Sequence, residues 1–249
     1  MRSWLPGRDY FKRKALDYTE ALSLLMLSMA VIVVWPTIFV YPFKLLVVFF
    51  HELSHALMAW ATGGRVVELA LRHDLSGHCV VVGGNAVLIA SAGYLGSILW
   101  GIGLLLLVKR SERAPYMSFT LGMVLLSITV LFLRPLFSFG FIFSVLSAIG
   151  FLLLGWKAAP WINRVLLQCL GITSCLKALL DIYTVSTSGT SLPSDAVVLA
   201  QHTGIPAIVW GVFWMLLSLG ILWWSLPYLL RRPAPAQALP ESGDSARFL

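Results

Sequence analysis

Charged residues are scarce in this sequence. Of its 249 residues only 12% are Asp, Glu, Lys or Arg, whereas 59% are hydrophobic, and the mean hydropathy is +0.86. Because soluble globular domains carry about 25% charged residues, this composition excludes an ordinary soluble domain. It indicates an integral membrane protein.

Long segments lack charge altogether, and such segments are the ones that cross membranes. About 20 apolar residues span a hydrocarbon core of about 30 Å. The segments without charge are Ala21–Val40, Asn85–Val108, Ala114–Leu133, Pro135–Trp156 and Ile205–Leu230, and two more, Leu45–Gly64 and Trp161–Leu180, are broken by a few polar groups. We therefore predict an all-α polytopic protein of the cell membrane, a multi-pass bundle of six to seven transmembrane helices.

The few basic and thiol groups add two expectations. The net charge of +7 comes from 18 basic and 11 acidic residues, and the bases lie mostly at segment ends. That placement favours contact with the lipid bilayer and excludes nucleic acid as the expected partner. Cys79, Cys169 and Cys175 are an odd set, so we expect free thiols.

The chain divides into three parts by composition. We predict a basic N-terminal tail over residues 1–20, one transmembrane domain over 21–230, and a disordered C-terminal tail over 231–249 that is rich in Pro, Ala and small polar residues. No internal repeat is present, which disfavours the transporter folds that are built from repeated halves.

Two stretches between the apolar segments predict other local structure. Alternating apolar residues and a DLSG turn predict a β-hairpin that pairs Arg65–Arg72 with Gly77–Val82. Before the last apolar segment, Ser194 and Gly204 have the positions of an N-cap and a closing residue, so a short helix is expected between them.

The sequence HELSH lies within the apolar segment Leu45–Gly64. Residues four apart share one face of a helix, so His51 and His55 can present two imidazoles to one ion. Glu52 then lies beside the ion without binding it and can take a proton from a zinc-bound water. A charged group near the centre of a bilayer costs at least about 2.5 kcal/mol, so ionisable residues at this spacing indicate a metal site and not chance.

A catalytic zinc usually has three protein ligands. We expect Asp181 as the third, because it ends an apolar run where a helix can direct a carboxylate into the bundle. An ion pair with Lys177, four residues earlier, is the alternative explanation of Asp181. The rival ligand is Asp195, although an acid at a helix start has a structural explanation already. The weaker candidates are Glu68, His73, His78 and His202.

HELSH in an apolar segment, followed by GG, a hairpin and the small-residue segment NAVLIASAGYLGS, resembles the site-2 protease family of intramembrane zinc metallopeptidases, most closely its compact bacterial branch. The resemblance covers residues 45–217. Tyr94 and Ser97 stand where the family's helix has proline and asparagine, and Ile182 stands where its Leu-Asp-Gly motif has glycine.

The resemblance implies a Zn²⁺ cofactor held by His51, His55 and Asp181, with Glu52 as general base and acid. It implies hydrolysis of a peptide bond in or near a transmembrane segment of a membrane-protein or membrane-peptide substrate. The resemblance gives the hairpin edge the role of holding an extended substrate segment; on the sequence alone an interfacial connector is an equal alternative. On this assignment Asp181→Asn weakens zinc binding strongly, whereas Asp195→Asn leaves the metal in place.

Two other functions stay open on the sequence. One is a metal-binding but non-hydrolytic scaffold or chaperone on a protease fold, which the changed family positions favour. The other is an ion or proton transporter, which is disfavoured because a relay does not require the four-residue histidine spacing and because no repeated half is present.

Overall fold

A computed structural model describes residues 18–109, 111–187 and 194–231. Most of the two predicted tails, 1–20 and 231–249, lies outside these ranges, so the domain boundaries stay a prediction. The helices are α1 Tyr18–Val33, α2 Tyr41–Ala61, α3 Ala86–Leu107, α4 Ala114–Phe132, α5 Phe139–Lys157, α6 Pro160–Thr187, α7 Asp195–Thr203 and α8 Ala207–Leu230, with strands β1 Arg65–Leu71 and β2 Gly77–Val82 between α2 and α3.

Six of the described helices, α2 to α6 and α8, are long and apolar enough to cross a membrane. This confirms the predicted membrane bundle. The first predicted segment, Ala21–Val40, is helical over only part of its length. Helix α1 has 16 residues and ends at Val33. Pro36 follows shortly afterwards, and the residues that precede a proline are disfavoured in the helical region.

The centre of the bundle is formed by α2, α3 and α6. These three helices bury more than half of their membrane-spanning residues, whereas α4, α5 and α8 bury less than a third of theirs. Exposed apolar side chains on the outer helices suit a lipid environment, while the polar residues of α2 are enclosed. The HELSH segment therefore lies at the centre of the protein.

The predicted hairpin is confirmed. β1 and β2 pair antiparallel in the register Leu71↔Gly77 to Arg65↔Val82. Leu69 and Leu71 are buried, but Val67 is 51% exposed, so the expected alternation fails at that residue. A β-bulge between Val66 and Glu68 is the cause, since an extra residue in one strand reverses the faces on one side of it.

The predicted short helix is also confirmed, as α7. The Ser194 side chain accepts a hydrogen bond from the Val197 amide, and Gly204 closes the helix at φ 73° in the left-handed region. Both ends of α7 thus follow from local sequence.

Glycines allow α3 and α6 to approach closely. A Cβ built on Gly101 of α3 would lie 2.7 Å from the backbone oxygen of Gly171 on α6, and a Cβ on Gly171 would lie 2.9 Å from the oxygen of Gly101. Small residues at such crossings let helix backbones meet, which is how membrane helices gain packing energy.

We predict that Gly101→Val destabilises the bundle by about 1–3 kcal/mol, the usual cost of overpacking. Gly103→Val on the same helix is the matched control, because a Cβ there meets nothing within 4 Å. Thermal unfolding in detergent, followed by tryptophan fluorescence, measures both. Equal midpoints for the two variants would contradict the close crossing.

Candidate metal centre

His51 and His55 lie on one face of α2, as their four-residue spacing predicts. Their ring centroids are 4.8 Å apart. The His55 Nδ1 lies 2.7 Å from the backbone oxygen of Ile89 on α3. That carbonyl can only accept, so Nδ1 carries the proton and Nε2 is free to bind a metal.

The third group beside the histidines is Asp195, the first residue of α7. Its Oδ2 lies 3.1 Å from Nε2 of His51 and 3.4 Å from Nε2 of His55. Among the described residues, these three form the one set of at least three His, Cys, Asp or Glu side chains whose ligand atoms all lie within 4.8 Å of one another. The three side chains thus converge on one point.

The short helix α7 is held in place by apolar packing. Ala196 and Leu199 are fully buried in a cluster that includes Tyr94 of α3 and Trp214 of α8. Because Asp195 precedes Ala196 directly, this packing directs the carboxylate toward α2. The N-cap of Ser194 explains where the helix starts, but the tertiary contacts place Asp195 at the histidines.

The geometry of the three groups fits a zinc ion. Tetrahedral ligands at about 2.1 Å from zinc are separated from one another by about 3.4 Å. The two Nε2–Oδ2 distances of 3.1 and 3.4 Å are close to that separation. Two neutral imidazoles and one carboxylate are also a ligand set that zinc accepts, with a fourth position left for water or substrate.

The charge state of Asp195 suits a metal ligand. Burial raises the pKa of the Asp195 carboxyl, but the interactions with the rings of His55 and His51 lower this pKa by a larger amount. The pKa of Asp195 therefore lies below the usual aspartate value. Asp195 is therefore a carboxylate at neutral pH, which is the form that binds a cation.

Glu52 is buried beside the histidines and close to the start of β2. Its side chain is 6% exposed. A Cβ built on Gly77 would lie 2.7 Å from Glu52 Oε1, so the hairpin packs directly against the carboxyl group. The absence of a side chain at position 77 leaves the space that Glu52 occupies.

A second close approach brings α3 to the histidines. A Cβ on Gly93 would lie 2.5 Å from Nε2 of His51 and 2.6 Å from Cε1 of His55. Only a glycine leaves room for both rings at this position. The small-residue segment of α3 thus packs on the face of α2 that carries His51 and His55.

The structure does not bring Asp181 to the two histidines. Its carboxylate instead accepts hydrogen bonds from Lys177 Nζ, at 2.9 and 2.8 Å. This is the ion pair that the sequence offered as the alternative explanation. The geometry therefore favours Asp195 over Asp181 as the third ligand.

The weaker candidates do not join the group either. Glu68 lies 3.4 Å from His78 across the hairpin, and the His73 ring contacts the ring of Phe139 instead. His202 lines the same cavity as His51, His55 and Asp195 but does not belong to that group of three.

A cavity of about 1040 Å³ opens onto the site. Its walls include the hairpin turn, the start of α7, and Lys177 and Asp181 of α6. Tyr94 also lines the cavity, and its ring meets the His51 ring edge-on with centroids 4.8 Å apart. The sequence signalled Tyr94 only as a departure from the family pattern, not as a residue of the site.

Comparison with models of known protein families identifies a family. The family model described as Peptidase M50B-like matches residues 24–225. No curated protein and no solved structure shows significant similarity. The matched range includes both histidines, Glu52 and Asp195.

We predict that Asp195→Asn removes most of the bound zinc from the purified protein, because the amide keeps the size of the side chain but lacks its charge. Asp181→Asn is the matched control and should keep about one zinc per chain, the content of a single catalytic site. His51→Ala and His55→Ala should also lose the metal. Mass spectrometry of metal content measures all four variants. Zinc lost with Asp181→Asn and kept with Asp195→Asn would support Asp181, the third ligand expected from the sequence, against Asp195.

Proposed function

Since the chain belongs to the Peptidase M50B-like family, we propose that it is a membrane-embedded zinc metalloendopeptidase that hydrolyses a peptide bond in or near a transmembrane segment. The observation that carries this proposal is the convergence of His51, His55 and Asp195 beside the buried Glu52. The substrate is then a membrane protein or membrane peptide, and the protein itself is a multi-pass protein of the cell membrane.

His51, His55 and Asp195 would hold the zinc ion. Bound there, zinc would act as a Lewis acid that polarises a carbonyl and would lower the pKa of a bound water to about 7. The protein supplies the surroundings: the Ile89 carbonyl fixes the His55 tautomer, and Gly93 lets α3 seal one side of the rings. Such supporting contacts hold the ligands in a fixed geometry.

Glu52 is the proposed general base. It follows His51 in α2 and is not a member of the metal-binding group, so its carboxylate is free to accept a proton from the attacking water. The same group can then deliver that proton to the amide nitrogen as the carbon–nitrogen bond breaks. Enclosure by the hairpin at Gly77 limits the water that reaches this carboxyl group.

The hairpin is the proposed support for the substrate backbone. Leu69 of β1 already forms a parallel bridge with Leu133, and its oxygen accepts a hydrogen bond from the Arg134 amide. β2 forms the opposite edge of the sheet, and its residues His78, Cys79 and Val81 line the cavity. In strand addition an extended peptide pairs with such a sheet edge. A peptide paired with β2 would therefore run beside the metal centre.

The size of the cavity agrees with a peptide segment. Its volume of about 1040 Å³ is at the upper end of the range of pockets for single small ligands, about 300–1,000 Å³.

Unwinding of a transmembrane segment before cleavage is required by the chemistry, because the carbonyl groups of an intact helix are hydrogen-bonded within it.

The second candidate is a metal-binding scaffold or chaperone without hydrolytic activity. It is favoured by Ser97, which stands at the family's asparagine position. The Ser97 hydroxyl donates to the Gly93 oxygen within α3 at 3.0 Å and is buried, so it does not extend into the cavity. A hydrolytic enzyme would then need another polar group in the cavity in place of the family's asparagine.

We predict that Glu52→Gln keeps its zinc and loses cleavage of a membrane-peptide substrate in reconstituted vesicles, by at least the 10²-fold typical of general base catalysis. Glu112→Gln is the control, because Glu112 is exposed and does not line the cavity. Mass spectrometry of the products gives the rate and the bond cut. Zinc-loaded wild type that cleaves no substrate would favour the scaffold, and cleavage at the wild-type rate by Glu52→Gln would remove Glu52 from the mechanism.

A further inference from the structure

Peptide hydrolysis produces a negative charge on the carbonyl oxygen, which a hydrogen-bond donor stabilises. When water adds to the carbonyl carbon, the π electron pair moves to the oxygen, and donors that face this oxyanion lower the barrier. The following inference rests on the proposed function, and it concerns which side chain of this chain is that donor.

Tyr94 is held rigidly beside the metal-binding histidines. It is 5% exposed and lies between two rings. The His51 ring meets it at an interplanar angle of 74°, and Trp214, fully buried, contacts it at a centroid distance of 5.0 Å. The contact with His51 is edge-to-face, whereas the contact with Trp214 is tilted at 42°, and the two rings together limit the orientation of the Tyr94 ring.

The Tyr94 hydroxyl has no partner within the described part of the chain. Its interactions there are the two ring contacts and the fields of nearby carboxylates. The hydroxyl is not among the unpartnered side-chain atoms sealed inside the bundle, and Tyr94 lines the cavity. A buried tyrosine usually has a hydrogen-bond partner, so an open hydroxyl at this point indicates a ligand that supplies one.

Two neighbouring donors are already engaged. The Lys177 ammonium donates to both oxygens of Asp181, and the Ser97 hydroxyl donates to the Gly93 oxygen. Tyrosine, in contrast, is protonated at neutral pH and can donate without a change of charge. Tyr94 also stands at a position where the family pattern has proline, which has no such group.

We propose that Tyr94 is a catalytic residue whose phenol donates a hydrogen bond to the oxyanion during peptide hydrolysis. The water oxygen bonds to the carbonyl carbon, Glu52 takes the water proton, and the phenol keeps its own proton throughout. When the carbonyl re-forms, the carbon–nitrogen electron pair leaves with the nitrogen, which receives the proton from Glu52. Atoms and charges therefore balance with water as the only co-reactant.

The test is Tyr94→Phe in the full-length protein, purified in detergent and loaded with zinc. Phenylalanine keeps the ring contacts with His51 and Trp214 and removes only the hydroxyl. Tyr183→Phe on α6 is the matched control, because Tyr183 is 61% exposed and does not line the cavity. A hydrophobic phosphinic tripeptide, a tetrahedral mimic of the intermediate, serves as the probe for binding.

We expect Tyr94→Phe to keep its zinc and its unfolding midpoint while its Kd for the phosphinic tripeptide rises at least about tenfold, the effect of one lost hydrogen bond to a charged group. With a cleavable substrate, kcat should fall about 10²–10³-fold, as for other oxyanion donors, with KM little changed. Tyr183→Phe should resemble the wild type in every measurement.

Three results would overturn the assignment of Tyr94. They are an unchanged Kd, a wild type that does not bind the tripeptide, and zinc loss from Tyr94→Phe, which would make Tyr94 a positioning residue for His51. Failure of the proposed function is recognised separately. In that case zinc-loaded wild type shows no Glu52-dependent cleavage, while the effect of Tyr94→Phe on tripeptide binding is still measured.

Discussion

One carboxylate and two imidazoles meet at the centre of an apolar bundle, and the surrounding helices and hairpin hold these three groups together. Asp195 Oδ2 lies 3.1 and 3.4 Å from the two histidine nitrogens. A divalent ion at this point would be costly in a medium of low dielectric constant unless negative charge compensates it. The central position of α2 and the apolar packing of α7 bring these groups together.

The same contact explains the small residues around it. Gly93 lets α3 reach the rings, and Gly77 lets the hairpin lie against Glu52. The cavity beside these groups is lined by α2, α3, the hairpin, α6 and α7.

Most of the fold was predictable because it depends on local pattern. Apolar length identified the spanning helices, the DLSG turn identified the hairpin, and Ser194 with Gly204 identified both ends of α7. The histidines were predictable too, since four-residue spacing on a helix fixes which side chains share a face. The exposure of Val67 was not, because a β-bulge depends on strand pairing that the sequence of one strand does not contain.

The third group could not be predicted from local pattern. Asp181 has the better position in the sequence, at the end of an apolar run, but Lys177 one turn earlier engages it. Asp195 reaches the histidines only because Leu199 and Ala196 dock against Tyr94 and Trp214, a contact between segments far apart in the chain. Zinc K-edge X-ray absorption of the purified protein tests the resulting centre most directly. We predict one zinc with two imidazoles and oxygen ligands at about 2.0–2.1 Å; a spectrum with sulfur ligands, or a protein that binds no zinc, would contradict it.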